Sequence, residues 1–535
     1  MSARRAPVVL LGLDSLDPDL AREWADAGEL PNLAKLFSQS ARCEVRNPVG
    51  LYVGALWVSF ATGLRADRHD FYCWSHINAR TYRREFNPPR LGAFPTLWSR
   101  LSVAGRRVAV VDVPHFRVEG PLNGVQIAEW GAHDRHFGLH SWPPAEAAQM
   151  VATAGLHPVF GADPYARREF SPDDFVFRAG AVRTADEDRR MMEGLAAGAR
   201  AKGRGLATLL RRQDWDLFLA VFGESHSAGH QLWHLHDAAH PRFDRERQEA
   251  LGGDPVLQVY KAIDDAIGEI VADMPANARL LVLLSLGFGP ISNGSSLLDD
   301  VLTRLDRWHR SAAAEAPEAS GRLRGVAGKL RRRVASMPLP RPLRLRAGAA
   351  LDALVGARAR ARQLWFAEPN NSVFGGVRLN LAGREGKGIV DPGEADALLD
   401  LLEADLKALV DPETGGPAVR ALIRADRHYR RSPGNRMPDL FVEWERSTPF
   451  TALWSAKTGR IEPAQRAWRT GDHRERGLLL ARAPGVTPGE AHPESPVEDI
   501  APTVAAMLAL DFPDADGGPI GWLARERPAV EAAAR

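Results

Sequence analysis

The chain has 535 residues, of which 45% are hydrophobic and 25% charged, the values of an ordinary globular protein. Sixty-nine Lys and Arg against 67 Asp and Glu leave a formal charge of +2, so binding to nucleic acid through bulk charge is not expected. Two cysteines, Cys43 and Cys73, exclude a disulfide scaffold and suit reduced thiols in a cytoplasmic protein.

The N-terminus begins like a secretion signal, but its apolar run is broken by Asp14, Asp17 and Asp19. No stretch approaches the roughly 18 apolar residues of a membrane span, and a cytoplasmic location is the expectation. Residues 7–13 (PVVLLGL) form a continuous apolar run, the pattern of a strand buried on both faces of a parallel sheet. Asp14 follows it, and helical spacing runs from Pro18 to Leu36. Loops after parallel strands hold ligands in such sheets, which makes Asp14 a site candidate; helix capping is its plainer role.

The unit recurs. Strands are predicted within 106–116, 215–225 and 278–289, with a helix over 257–273. Alternation of this kind over nearly 300 residues predicts an α/β fold with a large, mainly parallel sheet and helices on both faces. Residues 311–363 differ, being rich in Ala, Arg, Gly and Pro, with twelve basic residues and one acid between Arg322 and Arg362. They read as a basic helical or loop insertion, a cap between a first core segment at 1–310 and its remainder at 364–535. Strands return at 373–381 and 439–444 around a helix over 393–409, and 387–436 reads as a small side lobe. A capped helix after Pro496 closes the core.

The densest chemistry lies at 222–241, FGESHSAGHQLWHLHDAAHP. His226 and His230 are four residues apart, so a helix places both on one face within reach of one metal ion. Histidines at 234, 236 and 240 keep the choice of ligands open, and packed structural histidines are the competing explanation. His473, in the polar loop RTGDHRERG, is a candidate distant ligand. His69 and His76 near Cys73 lack the dense ligand spacing of a structural zinc module.

The order of these pieces resembles the alkaline phosphatase superfamily, in particular its type I phosphodiesterase/nucleotide pyrophosphatase-like branch. The resemblance rests on VVLLGLDSLDPDL, GELPNLAKL, ALWVSFATGLRADRH, the histidine-rich stretch, LLVLLSLGFGP, GGVRLNL, PDLFVEW, GDHRERGLLL and VEDIAPTVAAMLAL. It implies a two-metal site around a hydroxyl or modified cysteine nucleophile. Asp14 matches the aspartate after the first strand. The nucleophile position, nine residues before Thr62-Gly63, holds Val53, with Tyr52 beside it and Ser59 at a different position. The usual Asp-His pair of the first metal site has become Ser285 and Leu286, so that site is expected to be absent.

The second site is expected to survive in altered form. His226 stands where the resemblance implies an aspartate, and His230 and His473 occupy the other two ligand positions. Three imidazoles suit Zn²⁺ first, with Fe²⁺, Mn²⁺ or Co²⁺ as alternatives.

The resulting expectation is a mononuclear metal-dependent hydrolase acting on a small anionic substrate through metal-bound water. Asp14 would act as general base or substrate-orienting group, with Ser285 and Glu224 as further catalytic candidates. The alternatives are an inactive binding or scaffold protein of the same fold, a metal-free enzyme built on Asp14 and nearby histidines, and a metal-dependent lyase, transferase or non-haem iron enzyme. No oligomeric state is predicted.

Overall fold

The computed structural model describes residues 6–87, 93–133, 135, 137–161, 183–313, 356–430, 434–447, 449–462 and 469–524. Most of the basic insertion, residues 314–355, lies outside the described residues. The chain forms two compact units: Met1–His69 with Pro89–Ile291 and Ala467–Arg535, and Asp70–Pro88 with Ser292–Arg466.

The first unit is built on a nine-stranded sheet. Its order is Ala491–Pro496, Ala41–Arg46, Gly477–Arg482, Arg279–Leu284, Val8–Leu13, Leu217–Phe222, Val108–Val111, Gly124–Ala128 and His140–Trp142. The five strands from Arg279–Leu284 to Gly124–Ala128 are mutually parallel. Gly477–Arg482 runs antiparallel to both its neighbours, and His140–Trp142 closes the opposite edge antiparallel. Helices flank the sheet, so its central strands must be apolar on both faces. Val8–Leu13 and Leu217–Phe222 are buried at every residue. Truncating one of their leucines to alanine would cost about 2–5 kcal/mol, through lost transfer energy and the cavity left behind.

The helical spacing predicted from Pro18 to Leu36 resolves into two helices, Pro18–Asp26 and Pro31–Gln39. Gly28, at φ +82°, takes a left-handed turn that a continuous helix cannot contain, and Pro31 starts the second helix where its missing N–H costs nothing. The predicted 257–273 helix spans Pro255–Ala272, capped by the Asp254 carboxylate.

The second unit has a four-stranded antiparallel sheet in the order Trp365–Glu368, Phe374–Leu379, Leu440–Trp444 and Val419–Arg424. Helices Gly294–Ala313 and Ala395–Lys407 contribute Leu298, Val301, Leu402 and Leu406 to a core shared with Val377, Val442 and Trp444. No helix among the described residues is long and apolar enough to cross a membrane.

Candidate metal centre

Asp14 sits at the carboxyl end of the first strand and is held in line by its own N–H, which donates to Phe222 O at 2.9 Å. Ser15 then turns the chain at φ +55°. The Asp14 side chain is only 5% exposed, and a buried carboxylate needs partners. It has them: His226 Nδ1 lies 2.7 Å from Oδ2, and Trp57 Nε1 donates to Oδ1 at 3.0 Å. Ser285 Oγ, 3.4 Å from Oδ1, accepts the Ser15 N–H at 3.0 Å.

Trp57 was not legible as a site residue, because an indole in an apolar helix reads simply as core. It comes from helix Tyr52–Thr62 and lies against Gly12, where an added Cβ would stand 2.7 Å from its ring. Only glycine leaves the strand open to this indole.

Helix Glu224–His236 starts directly after strand Leu217–Phe222 and carries His226 and His230, as the spacing predicted. His473 arrives from strand Gly471–Arg474, which pairs antiparallel with Gly287–Pro290 so that His473 stands opposite Phe288. The ring centroids are 4.9 Å apart for His226 and His230, 4.6 Å for His226 and His473, and 4.8 Å for His230 and His473. The three candidate ligands are therefore neighbours in space.

Their ligand atoms do not form one set, however: those within 4.8 Å of one another fall into two triplets, His133–His226–His230 and His230–Asp472–His473, which share His230 and divide His226 from His473. His133 and Asp472 were missed from the sequence. Asp472 had a signal, since it directly precedes His473. His133 had none, because it follows strand Gly124–Ala128 in a loop and reaches the cluster only through folding. Its ring stacks on His226 at 3.9 Å, and its Nδ1 lies 2.7 Å from Ser227 Oγ.

The hydrogen bonds assign tautomers. A carboxylate and a carbonyl only accept, so His226 Nδ1–H donates to Asp14 and His230 Nδ1–H to Gly471 O at 2.8 Å. Each ring then keeps an Nε2 lone pair. His473 Nδ1 lies 3.1 Å from Ser15 Oγ, which likewise occupies the nitrogen nearer the backbone. Oxygen partners on the second ring nitrogen are the usual support of metal-bound histidine. Burial, then the charge of Arg469, hold His230 well below the usual histidine range, so its imidazole is neutral as a ligand must be. The donor set, imidazoles with one carboxylate, thus fits a borderline divalent ion such as Zn²⁺.

Glu224 is placed elsewhere. Its carboxylate is fully buried at the start of the same helix, 3.1 Å from Lys202 Nζ and 3.5 Å from His157 Nε2. Lys202 also reaches Asp112 at 3.0 Å, and the Asp112 carboxylate accepts the N–H groups of Trp130 and Gly131 at 2.8 and 2.7 Å. Burial opposes the Glu224 charge, but Lys202 and His157 together outweigh it and hold the carboxyl below its usual range. One lysine therefore ties the loop before His133 to the helix bearing His226. Glu224 holds this frame, and its contacts are with Lys202 and His157.

Val53 lies in helix Tyr52–Thr62 and offers neither a nucleophilic atom nor a ligand; Ser285 and the buried Leu286 stand at the end of strand Arg279–Leu284. His234 and His236 serve as packing and polar contacts: His234 Nδ1 lies 3.3 Å from Thr470 Oγ1 and His236 Nδ1 2.6 Å from Asp254. His69 Nε2 lies 3.0 Å from Ser59 Oγ, and among the described residues neither His69 nor His76 joins a metal-ligating triplet.

A mainly parallel sheet with a histidine–carboxylate cluster at its strand ends defines an alkaline phosphatase-like α/β protein. The family model for type I phosphodiesterase/nucleotide pyrophosphatase matches residues 8–474, and the chain belongs to that family. Comparison with curated proteins gives no match. Similar solved structures include the phosphonoacetate hydrolase of Sinorhizobium meliloti 1021 in complex with phosphonoformate, at 13% identity over 94% of this chain and 96% of that one, with a TM-score of 0.47. Murine ectonucleotide pyrophosphatase/phosphodiesterase 5 is 10% identical over 96% of this chain and 97% of its own, with a TM-score of 0.46. The human counterpart is also 10% identical, over 97% and 98%, with a TM-score of 0.46.

Proposed function

We propose that this protein is an atypical metal-dependent hydrolase that uses one divalent transition metal, zinc by preference, on a small anionic substrate. The observation that carries this reading is the common state of three neighbouring rings. His226, His230 and His473 each have Nδ1 engaged by an oxygen, at 2.7, 2.8 and 3.1 Å, and in the first two the Nδ1–H donates, which leaves Nε2 its lone pair. A metal held there would supply Lewis acidity. Asp14 is assigned the task of fixing the His226 tautomer, and Ser285 that of fixing the Asp14 loop through the Ser15 N–H. His133 and Asp472 are the candidates for a further ligand.

A second reading, a non-catalytic binding protein of the same fold, is favoured by burial: His230 and His473 are 0% and 1% exposed. One experiment separates the readings. Protein purified without added metal is analysed for its elements, then assayed for ester hydrolysis before and after chelation. One equivalent of metal with chelator-sensitive hydrolysis supports the enzyme. Metal without turnover of any phosphoryl, sulfuryl or acyl ester supports the binding protein, and absence of metal in wild type sinks both metal-based forms.

A further inference from the structure

The His230 Nε2 that a metal would need is already in contact with a cation. Arg469 Nη1 lies 3.0 Å from it, and because the His230 Nδ1–H is committed to Gly471 O, Nε2 is the acceptor. The approach is built into the chain: Thr470 N donates to His230 O at 2.8 Å, so the residue before it is tethered beside this ring. Arg469 is half-buried, whereas His226, His230 and His473 are 7%, 0% and 1% exposed. It therefore marks the solvent-facing edge of the cluster.

Resting on the mononuclear reading above, we propose that Arg469 both competes with the metal for His230 and recognises the anionic group of the substrate. The two roles exclude each other in time and share one cause. A guanidinium on Nε2 occupies the lone pair and repels a dication. Once the metal has taken that lone pair, the Nη1 donor that His230 accepted is turned away from the ring at the edge of the site, where a guanidinium suits the oxygens of a phosphate, sulfate or carboxylate. The assignment narrows the substrate to molecules whose anionic oxygens lie beside the reacting bond.

The test uses the full chain, with Zn²⁺ alone and inorganic phosphate as probes. Zinc affinity is measured by chelator competition in wild type, Arg469→Ala, Arg469→Lys and His230→Ala, with circular dichroism as the check on folding. Arg469→Ala is expected to bind zinc at least about tenfold more tightly, because a charged hydrogen bond no longer has to be broken. In the zinc-loaded protein it is expected to bind phosphate about tenfold more weakly, and Arg469→Lys should recover part of that loss. Unchanged or weaker zinc affinity in a folded Arg469→Ala, with His230→Ala still abolishing binding, overturns this assignment and leaves the metal site standing. If neither wild type nor Arg469→Ala binds zinc, the assignment and the mononuclear reading fall together. Should the alanine variant unfold, Arg469→Gln, which retains size and polarity, carries the same comparison.

Discussion

Asp14 Oδ2 and His226 Nδ1 lie 2.7 Å apart, both buried, joining the end of the first strand to the second residue after the Glu224 helix start. The pair explains how the Asp14 carboxylate stays buried: an imidazole and the Trp57 indole occupy its two oxygens. Asn at position 14 would keep the size and lose an acceptor. Asp14→Asn should fold normally and bind zinc about 10–100-fold more weakly, the usual effect of removing a partner that orients a metal-bound histidine. Chelator competition measures it, and wild-type affinity would remove Asp14 from the centre.

His226→Ala should abolish stoichiometric metal binding, and His133→Ala should reveal whether the stacked fourth imidazole is a ligand. With Co²⁺ as probe, loss of a ligand changes the visible absorption as well as the affinity. A wild-type cobalt spectrum in His226→Ala would contradict the ligand assignment.

Val53→Thr should not create a phosphodiesterase. The hydroxyl would stand where the resemblance puts the nucleophile, but with Ser285 and Leu286 in place of the Asp-His pair a single metal would not stabilise both the attacking and the leaving oxygen. Intact-mass measurement after incubation with an aryl phosphodiester should show no phosphoenzyme in wild type or variant. A stable mass increase of one phosphoryl group in the variant would mean that the lost site is dispensable.

Lys202 has no exposed side-chain surface and faces both Asp112 and Glu224. Lys202→Met keeps the stem but strands two buried carboxylates, and should cost about 3–5 kcal/mol in urea unfolding. Glu224→Gln, which leaves one carboxylate for the lysine, should cost less. Equal stability of all three proteins would show that the network contributes nothing to the frame.

Burial pushes His69 down to about 3, from an ordinary value near 6.5. Between those values the unfolded chain takes up a proton that the native ring refuses, so stability contributed by neutral His69 is complete above about 6.5 and is lost as the pH falls toward 3. In His69→Gln the drop in urea midpoint between pH 7 and pH 4 should be smaller than in wild type. An identical drop would show that other groups carry the acid sensitivity.

The sequence by itself determined the sheet and the helix of the site. Strands such as Val8–Leu13 and Leu217–Phe222 are apolar on both faces because a covered parallel sheet allows nothing else, and the four-residue spacing of His226 and His230 needs only a helix to align them. The resemblance also assigns the nucleophile position to Val53, whose side chain has no nucleophilic atom in any fold. Tertiary structure decided the rest. The partners of Asp14 come from positions 57, 226 and 285, and His133 reaches the cluster from a loop some 90 residues before His226. Neither carries a local pattern, because hydrogen bonds between distant segments depend on strand order and crossover paths rather than on spacing. The surroundings of Glu224 were decided in the same way: it opens the helix that carries His226, and only the fold brings the buried Lys202 to it from another helix.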